Sequence, residues 1–350
     1  MRCPILSELP SPPEGKSGWP WTEETPQIPE AKPDGPPWPT ISIVTPSYNQ
    51  GQFIEETIRS ILLQGYPNLE YIISDGGSTD DTVEVIKKYE PWLTYWASEP
   101  DRGQSHAINK GLKRVSGEVI AYLNSDDIYL SGTVQRALSY MTDQKEVDLV
   151  YGDCCVINDE SQTVSVWRSR PFDLLVELCQ NFIYQPTVFM KRKVLEVIGF
   201  FDEELHHTMD VDYWLRAATQ MRFGYLPSEL AGFRITEGSK TGTSLLPFAA
   251  ERERTLEKFF DSTSDPKVAK WRNSAFSWHH YHAGTQFYVE NKRDLARRDF
   301  FEAIKLKPFS LKAVAALLAI FDTYAGTNFF TKAASTRKIN LKPSPRYKFH

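Results

Sequence analysis

The chain has 350 residues, of which 41% are hydrophobic, 13% aromatic and 24% charged, with a net charge of -5; that is enough apolar material for a large core and excludes a wholly disordered chain. The charge is unevenly spread: residues 291–350 hold 13 Lys/Arg against 4 Asp/Glu, a net of +9, which leaves -14 for the remainder. No recognised nucleic-acid-binding motif accompanies the basic segment, so no nucleic acid partner is expected, and a solvated tail is weighed against contact with anionic lipid headgroups or an anionic acceptor.

Residues 1–39 are crowded with prolines (Pro10, Pro12, Pro13, Pro33, Pro36, Pro37, Pro39) and lack hydrophobic periodicity. They read as an extension whose Trp19, Trp21 and Trp38 can dock on the body. No basic segment followed by a long apolar run marks a secretory signal, and no stretch approaches the ~18 apolar residues of a spanning helix. Cys3, Cys154, Cys155 and Cys179 show neither paired metal-site spacing nor the density of a disulfide scaffold, which fits a reducing cytosol.

From residue 40 the texture changes. Ile41–Thr45 predicts a strand, Phe53–Leu63 a helix, Tyr71–Ser74 a strand, Thr82–Tyr89 a helix, Thr94–Ala97 a strand, Ser105–Val115 a helix and Val119–Leu123 a fully apolar strand. Such alternation predicts an α/β fold with a mostly parallel central sheet flanked by helices. Ligands of these sheets sit beyond the carboxyl ends of the strands. Each predicted strand here runs at once into polar turn formers: Thr45-Pro-Ser-Tyr-Asn49, Asp75-Gly-Gly-Ser-Thr-Asp80, Glu99-Pro-Asp-Arg-Gly103 and Asn124-Ser-Asp-Asp127.

Those loops suit phosphate-group chemistry. Carboxylates after the fourth strand can hold a hard divalent cation, with Asp126 the first choice, while diphosphate oxygens complete its shell; the alternative is that Asp126 and Asp127 cap the helix expected near Ser131 or shape a turn. Asp75 can accept a hydrogen bond from a base or ribose, or simply build an Asp-Gly-Gly turn. Further on, His206-His-Thr-Met-Asp-Val-Asp-Tyr-Trp-Leu-Arg216 reads as a helix start with Trp214 and Leu215 facing inward. A carboxylate in its first turn, Asp210, is favoured in the ionised state that a general base needs; ordinary helix capping is the other reading.

Taken in order, these segments, together with Gln185-Pro-Thr187 and Phe233-Arg-Ile-Thr-Glu-Gly-Ser-Lys-Thr241, resemble glycosyltransferase family 2 over about 200 residues. The resemblance implies a GT-A fold over residues 40–245, preceded by the proline-rich extension 1–39 and followed by a helical, basic region 246–350. It implies an inverting transferase that moves a sugar from a nucleotide diphosphate donor to a glycan or lipid-linked acceptor; the cysteines and the basic C-terminal region, read by themselves, add a cytoplasmic setting with peripheral contact at the inner membrane face as an expectation. By the same resemblance Pro46, Tyr48 and Asn49 line the nucleotide site and Asp75 contacts the base. Arg102, Asn109, Lys110 and Ser125 lie along the donor. Asp126 with Asp127 holds Mg²⁺ or Mn²⁺, Gln185 borders a sugar, and Arg234 and Lys240 reach the diphosphate from a C-terminal loop. Asp210 takes the place of the catalytic base, its helix braced by Trp214 and Arg216.

Departures from the family pattern bear on the metal and the base. Asn124 stands at the first acidic position of the Asp-x-Asp motif, and Thr236 stands where a His often supplies a further ligand. His206 or His207 is a conceivable substitute. The residue before Asp210 is Met209 instead of the usual acid. A protein that binds sugar nucleotides or glycans with weakened turnover is therefore the alternative, while a nucleotidyltransferase is disfavoured by the lack of a glycine- and Arg/Lys-rich loop after the first strand. Beyond the transferase region, Asp294–Pro308 looks like half of a tetratricopeptide-type helix pair, and the apolar run Ala313–Phe321 reads as a packing helix or an in-plane membrane helix.

Overall fold

β-Branched and aromatic runs bounded by turn residues become strands. In the computed structural model, which describes residues 1–31, 36–236 and 245–325, nine strands among the described residues form one mixed sheet. In chain order they are β1 (Ile41–Ser47), β2 (Leu69–Asp75), β3 (Tyr95–Ser98), β4 (Val119–Tyr122), β5 (Ile128–Tyr129), β6 (Leu149–Ile157), β7 (Thr163–Trp167), β8 (Phe189–Lys191) and β9 (Phe223–Arg234). Their spatial order is β3-β2-β1-β4-β8-β6-β9-β5, with β7 paired to β6. The first four run parallel, which is the pattern that strand-helix alternation predicts. The later strands make the sheet mixed: β8 is antiparallel to β4 and β6, β7 to β6 and β5 to β9, while β9 lies parallel to β6.

The sheet belongs to a unit made of Met1–Phe172 and Phe182–Arg234. Its helices are α1 (Ile54–Leu62), α2 (Thr82–Lys88), α3 (Gln104–Leu112), α4 (Thr133–Asp143), α6 (Arg192–Ile198) and α7 (Met209–Ala218). The second unit, Asp173–Asn181 with Ile235–His350, holds α5 (Leu174–Gln180), α8 (Leu245–Ser262), α9 (Pro266–Ala269), α10 (Arg272–Val289), α11 (Arg293–Leu306) and α12 (Leu311–Ala325). There α11, the segment with the tetratricopeptide-like pattern, packs with α10 and α12 around Phe287, Tyr288, Phe300 and Ile320.

All seven residues of β1 are buried, as a central parallel strand covered on both faces requires. Helix α3 lies so close to it that a Cβ on Gly111 would stand 2.3 Å from Val44 Cγ1. Gly111→Ala is therefore expected to destabilise the sheet unit by about 1–3 kcal/mol, outweighing the ~1 kcal/mol that alanine contributes to helix propensity, because the β-branched Val44 has little rotamer freedom with which to withdraw. A chemical melt of the variant checks this; unchanged or raised stability would contradict the packing described.

The proline-rich extension is fastened to this unit by one buried cation. Arg59 of α1 is 0% exposed; its Nε donates to Pro20 O at 3.1 Å, Nη1 to Pro10 O at 2.8 Å and Nη2 to Trp21 O at 2.9 Å. The guanidinium also lies 5.5 Å from the Trp21 ring centre, and Trp19 Nε1 donates to Tyr129 O at 2.8 Å. Extended backbone that buries carbonyls needs donors, and Arg59 supplies them.

Candidate active site

The chain runs from β1 to β2 to β3 on one side and then places β4 on the other side of β1. The strand order reverses there, and the carboxyl ends of β1 and β4 are where ligands of such sheets bind. Pro46 is buried in β1 just past Val44, where the pairing with β4 ends, so its missing N–H breaks no bond on that side.

The ends of β1, β2 and β3 lie level, Ser47 opposite Asp75 and Asp75 opposite Ser98. Their loops are tied together. Asn49, at φ 51°, accepts at Oδ1 from Thr79 N–H (2.9 Å); Asp80 Oδ2 accepts from Gly51 N–H (2.9 Å) and Thr82 Oγ1 from Gln50 N–H (2.8 Å). Tyr48 is 60% exposed, with its ring beside Gly76. A Cβ there would meet Tyr48 Cδ2 at 3.3 Å and Asp101 Oδ2 at 2.6 Å, so glycine keeps this surface flat.

Asp75 is 0% exposed. Its Oδ2 accepts from Gly77 N–H (3.1 Å), Ser78 N–H (2.9 Å) and the Ser98 hydroxyl (2.6 Å), and Oδ1 accepts from the Ser78 hydroxyl (2.5 Å). Three bonds saturate Oδ2, while Oδ1, with one, keeps an acceptor position. In this arrangement Asp75 shapes its own loop through Gly77, Ser78 and Ser98.

The residues expected along the donor divide in two. Arg102 and Lys110 are ion-paired near the surface, Arg102 with Glu203 and Lys110 with Glu99 at 2.9 Å. Asn109 is buried instead, its Nδ2 donating to Phe201 O (2.9 Å) and Glu203 Oε1 (3.0 Å) and its Oδ1 accepting from Phe201 N–H (3.0 Å). It pins residues 201–203 to α3, a bracing geometry in place of the donor contact expected of it. Ser105 Oγ adds a bond to Leu205 O at 2.8 Å.

The Asn-Ser-Asp-Asp loop follows β4. Asn124 Oδ1 accepts from Gln104 Nε2 (2.7 Å), while its Nδ2 donates to Asp127 Oδ2 (3.3 Å) and Gln185 Oε1 (3.3 Å). Gln185 Nε2 donates to Tyr122 O at 2.7 Å, which holds this buried side chain against the loop. Ser125 is buried and Asp126 half-buried. Asp127 is 1% exposed, and its Oδ1 accepts from Arg234 N–H at 2.9 Å. Burial first, and then the Asp126 charge, push Asp127 well above the usual carboxylate range, against the lowering by Arg234 and Asn124. Helix α4 begins at Thr133 after Gly132, so neither aspartate caps it. Of the two residues expected to hold metal, Asp127 thus faces inward as part of the scaffold and Asp126 has the more open position.

Arg234, expected at the diphosphate from a loop, is instead the last residue of β9 and 1% exposed. Its Nε donates to Asp126 O (2.8 Å), Nη1 to Asn158 O (2.7 Å), Asp159 O (3.2 Å) and Ser161 Oγ (3.0 Å), and Nη2 to Glu56 Oε2 (2.8 Å). Nε thus holds the acidic loop from behind, while Nη1 and Nη2 tie the guanidinium to the segment between β6 and β7 and to α1. Lys240 lies outside the described residues.

Helix α7 carries Asp210 at its second position, half-buried, with Oδ1 accepting from Val211 N–H at 2.8 Å. The positive end of the helix favours the ionised carboxylate. Arg216 bonds Asp212 at 2.8 Å and donates to Ile198 O (2.8 Å) and Phe200 O (3.0 Å); Trp214 is fully buried. Tyr213 stacks on Phe201 at 4.3 Å between centroids, and Phe201 meets Tyr122 edge-on at 5.3 Å. This row of rings joins α7 to the end of β4. Burial, followed by the charges of Asp210 and Asp127, pushes the Tyr122 phenol well above its ordinary range. The charges of Asp210 and Asp127 thus both reach Tyr122 at the end of β4.

Sequence reading assigns no role to Tyr122, Phe201, Glu56, Glu203 or Gln104. Gln104 follows the quoted Glu-Pro-Asp-Arg-Gly segment directly; the others sit in apolar or acidic runs that carry no spacing signal. His206 lies in the third loop's surroundings, its Nδ1 3.4 Å from where a Cβ on Gly103 would be. Among the described residues, no group of three or more His, Cys, Asp and Glu side chains forms a metal cage. The donor set here, chiefly one carboxylate, fits a hard cation that takes its other ligands from phosphate oxygens and water.

Residues 42–199 match the family described as Glycosyl transferase family 2. An uncharacterized glycosyltransferase of Mycobacterium tuberculosis is 31% identical over 187 residues, spanning 51% of this chain and 69% of that one. Among solved structures, S. aureus TarS 1-349 in complex with UDP-GlcNAc is similar with a TM-score of 0.61 at 18% identity, over 85% of this chain and 92% of that one; the chain spans 54% of a longer TarS. The mannosyltransferase PcManGT from Pyrobaculum calidifontis, in complex with GDP-Man and Mn²⁺, gives a TM-score of 0.57 at 20% identity, over 90% of this chain and 88% of that one. The fold with its loops at the switch point is thus of the GT-A type, the fold of enzymes that use nucleotide-sugar donors. The chain belongs to glycosyl transferase family 2.

Proposed function

We propose that the sheet unit performs a single inverting displacement, with Asp210 as general base toward an acceptor hydroxyl of a polysaccharide or lipid-linked glycan. The observation that carries this reading is the ring row Tyr213, Phe201, Tyr122, which ties the helix of Asp210 to the end of β4 just ahead of the Asn-Ser-Asp-Asp loop. Asp126, and to a lesser degree Asp127, would hold Mg²⁺ or Mn²⁺ at that loop; when bound, such a cation neutralises charge developing on the leaving diphosphate. Tyr48 presents a face for a base to stack on, and Pro46 and Asn49 shape the turn beneath it. Lys110 can exchange its exposed partner Glu99 for phosphate at small cost, since a pair with one exposed member is worth about 0–1 kcal/mol, and the exposed Arg102 can turn from Glu203, which Asn109 still holds. Asn109, Gln185, Arg216 and Arg234 act as braces. A cytoplasmic setting, with the basic C-terminal region in contact with a membrane face, completes the proposal.

A binding protein with weakened turnover is the second reading, favoured by Asn124 in the place of an acid and by the inward use of Asp127. Nucleoside diphosphate release from UDP- and GDP-sugars, measured in Mn²⁺ and after chelation, separates the two. Chelation is expected to lower release by at least about 100-fold, with recovery on adding Mn²⁺. Release that persists unchanged after chelation contradicts the metal assignment, and none under any condition favours the binding protein.

A further inference from the structure

Helix α1 carries two consecutive buried polar residues, Glu56 and Thr57. The hydroxyl of a threonine inside a helix ordinarily turns back to the carbonyl one turn earlier. Here that carbonyl, Phe53 O, accepts from the Thr57 N–H at 3.3 Å, and the Thr57 hydroxyl donates across to Asp127 O at 2.7 Å. The neighbouring Glu56 accepts from Arg234 Nη2 at 2.8 Å, and Arg234 Nε donates to Asp126 O at 2.8 Å. One helix thus reaches two successive carbonyls of the acidic loop, one directly and the other through a guanidinium.

Residues 124–127 form a turn closed by the Asp127 N–H, which donates to Asn124 O at 3.1 Å, with Ser125 and Asp126 at its centre. A peptide group is planar, so a held carbonyl also sets the Cα on either side of it. Arg234 holds the peptide that follows Asp126, and Thr57 holds the one that follows Asp127. Beyond the turn, β5 has two residues, Ile128 and Tyr129, paired to β9, so the sheet adds little restraint of its own. A buried carbonyl stripped of its donor is driven to turn toward another, and the turn that carries Asp126 would move with it.

We propose that Thr57 is a positioning residue for the metal-binding carboxylate: its hydroxyl, together with the Glu56–Arg234 arm, sets the direction from which Asp126 meets a divalent cation. The inference rests on the assignment of Asp126 to Mg²⁺ or Mn²⁺ made above. Groups that orient a metal ligand ordinarily contribute about 10–100-fold in metal affinity. Ser60, on the same helix, provides the comparison. It is buried too, and its Oγ accepts from Tyr129 N–H at 3.1 Å, so it bonds the same stretch of chain past the turn and leaves the turn itself alone.

Mn²⁺ binding by the full chain, titrated by electron paramagnetic resonance in the presence of UDP and again of GDP, tests this without turnover. Thr57→Val keeps the shape and removes the hydroxyl, and it is expected to weaken Mn²⁺ binding by about 10–100-fold; Thr57→Ser restores the donor and is expected to stay within about threefold of the unaltered protein. Thr57→Ala is expected to show the same loss as the valine variant and stands in for it if that variant does not fold. Ser60→Ala is expected to lower the melting temperature, as Thr57→Val does, yet to keep Mn²⁺ affinity within about threefold. A valine variant that binds Mn²⁺ as the unaltered protein does overturns the role of Thr57. So does a serine variant as weak as the valine one, or a Ser60→Ala variant equally weak, since the loss would then be a general loosening of the segment. Asp126→Asn separates this from the reading beneath it. Affinity lost in Asp126→Asn and kept in Thr57→Val overturns the role of Thr57 alone, whereas affinity kept in Asp126→Asn, or absent from the unaltered protein, overturns the metal assignment and the role of Thr57 with it.

Discussion

Asp210→Asn is expected to lower the turnover of sugar transfer by about 10²–10⁴-fold, the usual contribution of a general base, while affinity for the nucleotide sugar changes by less than about threefold. The asymmetry follows from position. The Asp210 carboxylate sits at the start of α7, where the helix end favours its charge. The ring row Tyr213, Phe201, Tyr122 holds that helix start against the end of β4. Asparagine keeps the shape and an oxygen for the hydrogen bond from Val211 N–H, and it loses the charge and with it the ability to take a proton. Pre-steady-state turnover and equilibrium binding of the same preparation check the two halves. A parallel loss of affinity and turnover would mean that Asp210 contacts the donor instead.

Arg234→Ala is expected to destabilise the sheet unit by about 3–5 kcal/mol, because it strands Glu56 as a buried charge without its partner. At the size of this unit that lowers the melting temperature by roughly 6–20 °C. The buried guanidinium also holds the Asp126 carbonyl and the Asn158 and Asp159 carbonyls, so three segments loosen together. Arg234→Lys is expected to recover little, since a point ammonium cannot reproduce the planar fork. Arg234→Met combined with Glu56→Gln removes both charges and is expected to restore much of the stability. Calorimetric melts check the series. Unchanged stability with a selective loss of donor affinity would return Arg234 to the diphosphate.

The parallel half of the sheet was legible in the sequence because each of its strands is a short apolar run that ends in turn formers. The four loops at its edge follow from that pattern, and so does the helix start at Asp210, whose acidic first turn and inward Trp214 obey helical spacing. The roles of Arg234 and Asn109 were not legible. Strand alternation predicts a side only while the register is kept, and β6 and β9 slip against each other at Gly152–Cys154, so the face on which Arg234 falls cannot be counted from its neighbours. Asn109 is fixed by Phe201 and Glu203, residues that only the fold brings to it. Arg59 is a similar case: its partners are backbone carbonyls of a proline-rich segment, and carbonyls leave no mark in a sequence.

The proposed division of labour puts the donor's diphosphate at Asp126 and the acceptor's proton at Asp210. Calorimetric titration of a nucleotide sugar in Mn²⁺ against Asp126→Asn and Asp210→Asn tests it most directly. The account predicts that the first variant binds the donor at least about tenfold more weakly than the unaltered protein and that the second binds it nearly as well. Equal affinities in the two variants, whether both are preserved or both lost, would contradict it.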